Sequence, residues 1–434
     1  MALVPFNFEV RTLLTKQDRF GNTYEMFKHV HGQPYAHIPR GLINTQLVEH
    51  DHRVVAPVVQ LIAKIGPRND DQKECAAKSL ALLKSGVDHV VDAPTGFGKS
   101  WLGAVVACGL GQRTLIVVTK NDLMEEWKNT LLHLIGVNPS EIGHVQQDIQ
   151  NYKGCRFVIG MIHSLVQREY DPEFYHHFGL VIFDEVHRLG AEHFVQVCEL
   201  FPARYRLGLS ATPDRQDGRD TLFRAHIGPI MVRGSWIPMN PKILVKKTRY
   251  KVPLVPQRND LGQWRKMPMV VVPGRMMSLY KDMGTDVARN TEIAEFVFQA
   301  FQAGRRCLVL SDLIEGHLHH LFQYIVSTGI SGENIGYYVG GMTAQERNVS
   351  KNKPVILGTY KMTSEGTNVP HWDTLVLATP RADIRQSVGR ILRFVTGKKD
   401  PVVLDLVDDH PVLKNLYFSR LKQYYSLKST IVEV

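Results

Sequence analysis

At 434 residues the chain is too long for one hydrophobic core and suits two or three domains of ordinary size. With 44% hydrophobic and 22% charged residues it reads as globular, while its five cysteines, none in a CxxC pair, speak against a zinc ribbon or a disulfide framework. Lys and Arg number 52 against 42 Asp and Glu, and the resulting charge of +10 favours a polyanionic partner, nucleic acid before membrane.

The chain starts MALVPFNFEVRTLL, without the charged start and long apolar core of a signal peptide, and no apolar run approaches the roughly 18 residues of a membrane helix. A cytoplasmic location is expected. Residues 1–65 contain FNFEVRTLL, TYEMF and YAHIPRGL, strand-like and aromatic-rich, and predict a small α+β accessory domain. Among its basic residues are Arg11, Lys16, Arg19, Lys28 and Arg40, for which packing onto the neighbouring domain is one reading. His29, His31, His37, His50 and His52 lack acidic or Cys partners at ligand spacing, so surface positions are expected for them.

From Asp88 the chain reads DHVVDAPTGFGKSWLGAVVACGL: a β-branched run, a Gly-containing turn, then apolar residues at helical spacing. Such a strand, loop and helix bind phosphate. Pro94, Thr95, Gly96 and Gly98 let main-chain N–H groups close around the anion, the helix start adds positive potential, Lys99 neutralises the β- and γ-oxygens and Ser100 ligates Mg²⁺. The strict spelling of such loops begins with Gly, and here that position is Ala93.

Further on, FGLVIFDEVHRLG ends an apolar strand in Asp184-Glu185. The carboxyl end of a buried strand is where open α/β sheets hold ligands; Asp184 suits Mg²⁺, and Glu185 suits alignment or deprotonation of an attacking water. RLGLSATPDR then ends a short strand in Ser210-Ala211-Thr212, hydroxyl residues placed to relay the state of the phosphate site. Residues 242–268, KILVKKTRYKVPLVPQRNDLGQWRKMP, hold eight Lys or Arg and one acidic residue, with Tyr250 and Trp264 interleaved. Its prolines exclude a central strand and RNDLGQ is a turn, so an edge hairpin around residues 242–273 is expected. As a nucleic-acid-engaging or strand-separating wedge, it would set Lys246, Lys247, Arg249 and Arg265 on phosphates and Trp264 against a base; a solvated edge guarded by lysines is the alternative. HLHH at 317–320 is expected at a helix surface, and the tail LKNLYFSRLKQYY as an amphipathic helix burying Leu413, Leu416, Tyr417 and Leu421.

Taken together, APTGFGKS, DEVH, SATP, TYKMTSEGTNVP and QSVGRILR resemble motifs I, II, III, V and VI of superfamily 2 helicases, in order, over about residues 66–425. The resemblance implies two tandem RecA-like α/β domains, residues 66–238 and 239–434, with ATP in the cleft between them. It implies that Arg390 and Arg393 stabilise charge on the γ-phosphate, that Gln72 reads adenine, and that Gly366 and Asn368 lie at the nucleotide. His187 joins Ser210 and Thr212 in coupling, and the resemblance offers a second reading of residues 1–65, as a domain that grips duplex through Arg11, Lys16, Arg19, Lys28 and Arg40. Thr119, Lys120, His163, Ser164, Thr359 and Ser364 occupy nucleic-acid-facing motif positions. Asn368 stands where the family has a ribose-contacting Asp, and the spacing of Arg68 from Gln72 is one residue longer than usual. Glu126 and Lys128 form an ExK within the motif Ia helix, where a structural role is expected.

The RNA-typical PTRELA and DEAD spellings are absent, and the second half is similar to UvsW-type phage recombination helicases and to RecG- and XPB-like DNA translocases. The expectation is therefore a monomeric ATP- and Mg²⁺-dependent DNA helicase or translocase acting on branched or duplex DNA. An ATP-gated nucleic-acid clamp, or an RNA helicase, is the alternative.

Overall fold

A computed structural model divides the chain into two compact units, Met1–Trp236 and Ile237–Val434. It describes residues 2–5, 11–12, 14–18, 21–29, 35–40, 53–56, 62–186, 192–211, 220–235, 239–258, 263–272, 274–364, 369, 371–393, 395 and 397–434. Among them no helix is long and apolar enough to cross a membrane.

The first unit is built on β1 (His89–Asp92), β2 (Thr114–Val118), β3 (Ile142–Gln146), β4 (Ile149–Asn151), β5 (Phe157–Met161), β6 (Leu180–Asp184), β7 (Tyr205–Ser210) and β8 (Ile230–Arg233). They form one sheet in the order β8-β1-β7-β6-β2-β5-β3-β4, parallel throughout except for the edge pair β3–β4. TLIVV, FVIGM and LVIFD are buried along their whole length, because helices cover both faces and leave no wet side that would call for alternation. One face packs α1 (Asp70–Lys84), α2 (Lys99–Leu110) and α3 (Asn121–Asn129), whose Leu83, Leu102 and Trp127 meet Ile116, Ile182 and Leu209 of the sheet. α4 (Ile162–Gln167) follows β5, and the other face carries an aromatic cluster of Phe174, Phe178, Phe183 and Phe201.

Register decides what comes together. Asp184 of β6 stands opposite Leu209 of β7, and Ser210 of β7 opposite Asp92 of β1. The ends of three strands therefore lie side by side at the carboxyl edge, where open parallel sheets present their ligand-binding groups.

The N-terminal strands pack on this unit. Leu14, Tyr24 and Met26 share a cluster with Leu222 and Ala225, Lys28 pairs with Glu199, and Arg40 donates to the carbonyls of Ala203 and Arg204 and pairs with Asp88 at 2.6 Å. Of the basic residues considered for gripping duplex, Lys28 and Arg40 are thus committed to the unit itself; Arg19 lies outside the described residues, as do His31, His50 and His52.

The second unit has seven parallel strands: β9 (Lys242–Lys247), β12 (Cys307–Ser311), β13 (Ile335–Tyr338), β14 (Val355–Thr359), β15 (Thr374–Leu377), β16 (Val402–Val407) and β17 (Thr430–Glu433), ordered β13-β14-β12-β15-β16-β9-β17. Between β9 and β12 in sequence, β10 (Leu254–Arg258) and β11 (Trp264–Pro268) form a separate antiparallel ribbon. The α/β class and its two parallel-sheet, RecA-like domains are as expected, and the hairpin is present.

Its extent needs correction. Lys242–Lys247 is not hairpin but an interior strand between β16 and β17, with Ile243 and Val245 buried, Leu244 half-buried between them and the lysines at its two ends. Charge dominates a reading of KILVKK by composition, whereas Ile243, Leu244 and Val245 form the short, largely β-branched apolar run of a buried strand. Its helices include α5 (Val287–Gln302), α6 (Arg385–Ile391) and α7 (Pro411–Ser426). α7 packs through Leu413 and, partly, Leu416, Tyr417 and Leu421, as expected. It also brings Arg420 and Tyr424 to Asp405 inside the sheet.

Candidate functional site

In the first unit, β1 runs into the loop Ala93–Gly98, and α2 begins at Lys99. Gly96 and Gly98 have φ of 88° and 92°, left-handed values that glycine adopts without strain. Gly98 caps α2 without a side chain, so the first N–H groups of the helix stay available to an anion. Ala93 is fully buried, and its N–H donates to the Ser210 carbonyl at 3.0 Å, which ties the loop to the end of β7. Phe97 points into the core against Gly234, where an added Cβ would meet the ring at 2.5 Å. Lys99 Nζ lies 3.2 Å from the Ala93 carbonyl, folded back across the loop.

Gln72 supports this loop from α1. Its Nε2 donates to the Phe97 carbonyl at 2.8 Å, its Oε1 accepts from Arg68 N–H at 2.7 Å, and the residue is 1% exposed. Asn69 caps α1, with Asp70 and Asp71 in its first turn.

Across the strand ends, Asp184 closes β6. Trp127 Nε1 donates to its Oδ2 at 2.9 Å, and Glu185 N–H donates to its Oδ1 at 3.0 Å. Burial, then the neighbouring Glu185 carboxylate, pushes Asp184 up to about 7, while the Trp127 hydrogen bond and Lys99 act the other way. Two carboxylates crowded in a buried place, with a lysine near, fit a divalent cation. Asp184 and Ser100 would hold Mg²⁺ here. Glu185 has φ of 54°, a left-handed conformation that costs a non-glycine residue roughly 1–2 kcal/mol. Strain of this kind collects at functional sites.

Other expected residues divide clearly. Ser210 is buried at the end of β7, beside the loop. Thr119 and Lys120 join β2 to α3, and His163 is exposed on α4. Ser164 does not face outward: it is buried, and its hydroxyl accepts from Gln147 N–H at 2.9 Å, holding the β3–β4 turn where Gln147 takes φ of 50°. Thr359 ends β14 and accepts from the Thr363 hydroxyl at 3.0 Å. His187, Thr212, Gly366 and Asn368 lie outside the described residues, as does the side chain of Ser364.

In the second unit Arg390 sits in α6 and is 7% exposed. A shared helical face with Arg393 does not form: α6 ends at Ile391, before the helix-poor run Val395-Thr396-Gly397, and Arg393 follows the cap. Lys246 and Lys247 belong to β9, and Lys247 pairs with Glu433 at 2.8 Å, so neither is a hairpin cation. Arg249, Trp264 and Arg265 are exposed; Tyr250 is buried, its hydroxyl donating to Asp282 at 2.6 Å. His317 is also buried rather than surface-facing.

Three supports escaped the sequence reading. Trp127 stands between the residues of the ExK, and a buried indole N–H is stabilised by an acceptor, which Asp184 supplies. Asp405 inside the apolar strand VVLDLV demands a buried cation, which Arg420 supplies at 2.9 and 2.8 Å. Gln423 brackets the start of α6, donating to Ala382 O at 2.7 Å and accepting from Ile384 N–H at 3.0 Å.

Residues 65–215 match the family described as type III restriction enzyme, res subunit. The chain is 29% identical over 379 residues to "Putative ATP-dependent RNA helicase L396" of Acanthamoeba polyphaga mimivirus, covering 86% of this chain and 70% of that protein. It is 30% identical over 247 residues to "Putative helicase 109L" of Invertebrate iridescent virus 3, covering 51% and 73%. Against "DNA 3'-5' translocase XPB2" of Sulfurisphaera tokodaii it is 34% identical over 163 residues, covering 38% and 35%. In fold it is similar to S. cerevisiae Dbp5 bound to RNA and ADP BeF3, with a TM-score of 0.56 at 13% identity over 85% of this chain and 90% of that one.

Proposed function

Because the chain belongs to the superfamily 2 helicases, we propose that it is an ATP- and Mg²⁺-dependent DNA helicase or translocase of the UvsW type, remodelling branched or duplex DNA. The observation that carries the nucleotide half of this reading is the convergence of the Ala93–Gly98 loop, Lys99 and the Asp184–Glu185 pair on one sheet edge.

Helicases of this superfamily couple ATP hydrolysis to movement on nucleic acid, so each side chain is assigned by what that chemistry needs. Loop N–H groups and Lys99 take the phosphates, Lys99 leaving the Ala93 carbonyl to do so. Mg²⁺ on Asp184 and Ser100 would offset charge on the phosphate oxygens. Glu185 aligns the attacking water and accepts its proton. Arg390 and Arg393 stabilise charge on the transferred phosphoryl group, a contribution of about 10³ to 10⁵ in rate where arginines do this. Lys99→Ala should abolish turnover; full turnover in that variant would refute the assignment.

DNA is favoured by the motif spellings and by the likeness to a DNA translocase and a DNA helicase, each over 38% of the chain, while the names of relatives from mimivirus and African swine fever virus say RNA helicase. Contacts to phosphate and sugar carry little base information, so the substrate is decided by experiment: ATP hydrolysis without nucleic acid, then with single-stranded DNA, duplex, four-way junction and RNA. Strongest stimulation by the junction supports a branch-remodelling motor. Stimulation by RNA alone overturns the DNA reading. Tight binding with weak hydrolysis favours an ATP-gated clamp.

A further inference from the structure

Trp127 is fully buried in α3, and its ring lies against the backbone of α2, where a Cβ on Gly103 would come within 2.9 Å of Cη2. That close contact fixes the plane of the indole, and with it the direction of Nε1–H. The hydrogen points to Asp184 Oδ2 at 2.9 Å. The other oxygen receives Glu185 N–H at 3.0 Å, so the carboxylate is held once on each oxygen and cannot rotate about its last bond.

Satisfying a buried indole does not require a carboxylate. Trp101, on the neighbouring helix, donates to the main-chain carbonyl of Ile65 at 2.9 Å and stays clear of the acidic pair. Trp127 instead reaches Asp184, the one carboxylate that the proposed mechanism gives to the metal ion. A tryptophan is a neutral donor with a single hydrogen. It orients the carboxylate and favours its ionised form without cancelling its charge, as a Lys or Arg in the same place would.

We propose that Trp127 is a positioning residue for the metal-holding carboxylate, setting through the Nε1–Oδ2 hydrogen bond how well Asp184 takes a divalent cation alongside nucleotide. The inference rests on the reading of Asp184 as that carboxylate. It also places a determinant of the nucleotide site on the helix that begins directly after Thr119 and Lys120.

The test is Trp127→Phe, which keeps most of the packing and removes the N–H. Binding of mant-ADP is followed by fluorescence across a Mg²⁺ series, and ATP turnover across the same series. Loss of a hydrogen-bond partner behind a metal ligand typically costs 10–100-fold, so the Mg²⁺ midpoint of nucleotide binding should rise roughly tenfold or more, with turnover falling in parallel. Trp101→Phe, which loses an indole N–H aimed elsewhere, should keep the wild-type midpoint. A folded Trp127→Phe protein with the wild-type Mg²⁺ midpoint overturns the proposal. Should that variant fail to fold, benzothienylalanine at position 127 keeps the ring shape and removes only the N–H, and the same two outcomes decide. Asp184→Asn separates the two levels: full turnover there sinks the reading of the site, whereas its inactivity beside an unaltered Trp127→Phe sinks this inference alone.

Discussion

Gln72 Nε2 donates to the main-chain carbonyl of Phe97 at 2.8 Å, and this hydrogen bond joins α1 to the middle of the loop that precedes Lys99. The other end of the same carboxamide accepts from Arg68 N–H at 2.7 Å. Gln72→Glu replaces the donor by a carboxylate facing a carbonyl, in a place almost closed to water. The buried carbonyl then loses its partner, at a cost of about 1–3 kcal/mol. Lower affinity for mant-ADP and a lower urea midpoint are expected together. Unchanged values of both would mean the tie is dispensable.

Gly98 is constrained twice. Its φ of 92° suits glycine, and an added Cβ would stand 2.5 Å from Gln72 Nε2. Gly98→Ala must therefore displace the Gln72 side chain and strain the helix start. Nucleotide affinity should fall by at least the loss seen in Gln72→Glu, and the double variant should be little worse than Gly98→Ala alone, because both changes break one tie. Additive losses in the double-mutant cycle would show that the two act separately.

Arg420 and Asp405 are both about 1% exposed and meet in a two-point ion pair, with Tyr424 donating to the same carboxylate at 2.7 Å. Arg420 also donates to the Arg381 carbonyl at 2.7 Å, in the stretch leading into α6. Arg420→Met leaves a buried carboxylate short of its cation, which costs about 3–5 kcal/mol. Urea unfolding should report that loss, and Asp405→Leu added to it should recover part. A loss below about 1 kcal/mol would place the pair among screened surface bridges.

Two buried histidines make stability depend on pH. Asn290 Nδ2 donates to Gly284 O at 2.8 Å, so its Oδ1 faces His317 Nε2 at 3.1 Å. An amide oxygen only accepts; Nε2 therefore carries the hydrogen, and Nδ1 accepts from the Ser311 hydroxyl at 3.0 Å. Burial pushes His317 down from 6.5 to about 3, and burial with the Arg206 charge does the same for His226. Both rings are neutral in the fold and take up protons in the unfolded chain. Their contribution is complete above about pH 6.5 and is lost as pH falls from there toward 3, by at most about 1.4 kcal/mol per pH unit for each. His317→Gln should flatten the acid slope of unfolding free energy by about that amount per unit. An unaltered slope would show that the ring takes no part.

The range of the forces involved decides which features the sequence disclosed and which it hid. The loop before Lys99 and the strand ending in Asp184 are local patterns, since turn chemistry and an apolar run ending in acid are written in consecutive residues. Trp127–Asp184, Arg420–Asp405 and Gln72–Phe97 join residues of different elements, 57, 15 and 25 positions apart, and only the packing of helices against strands and loop reveals them. KILVKK misled because its three lysines mask the apolar run Ile243-Leu244-Val245. Ser164 misled because its motif position says nothing of which way a short helix turns its face.

The ribbon β10–β11 offers the sharpest test of the nucleic-acid reading. Register pairs Arg258 with Trp264, and the guanidinium lies over the indole at 5.3 Å. Trp264 is nevertheless 66% exposed, with Arg265 and Lys266 exposed beside it, and no described residue of the two strands is acidic. Such a ribbon buries no apolar face of its own. An exposed indole among cations serves single-stranded nucleic acid well, because bases stack on it while the cations meet phosphate. Trp264→Ala should weaken binding to single-stranded DNA by about 1–3 kcal/mol, whereas Arg265→Ala should lower the salt dependence by about one ion. Deleting residues 253–267 should abolish unwinding and spare much of the ATP turnover measured without nucleic acid. If unwinding survives the deletion, the ribbon does not separate strands; if binding survives Trp264→Ala as well, its basic face is only the solvated guard of an exposed edge.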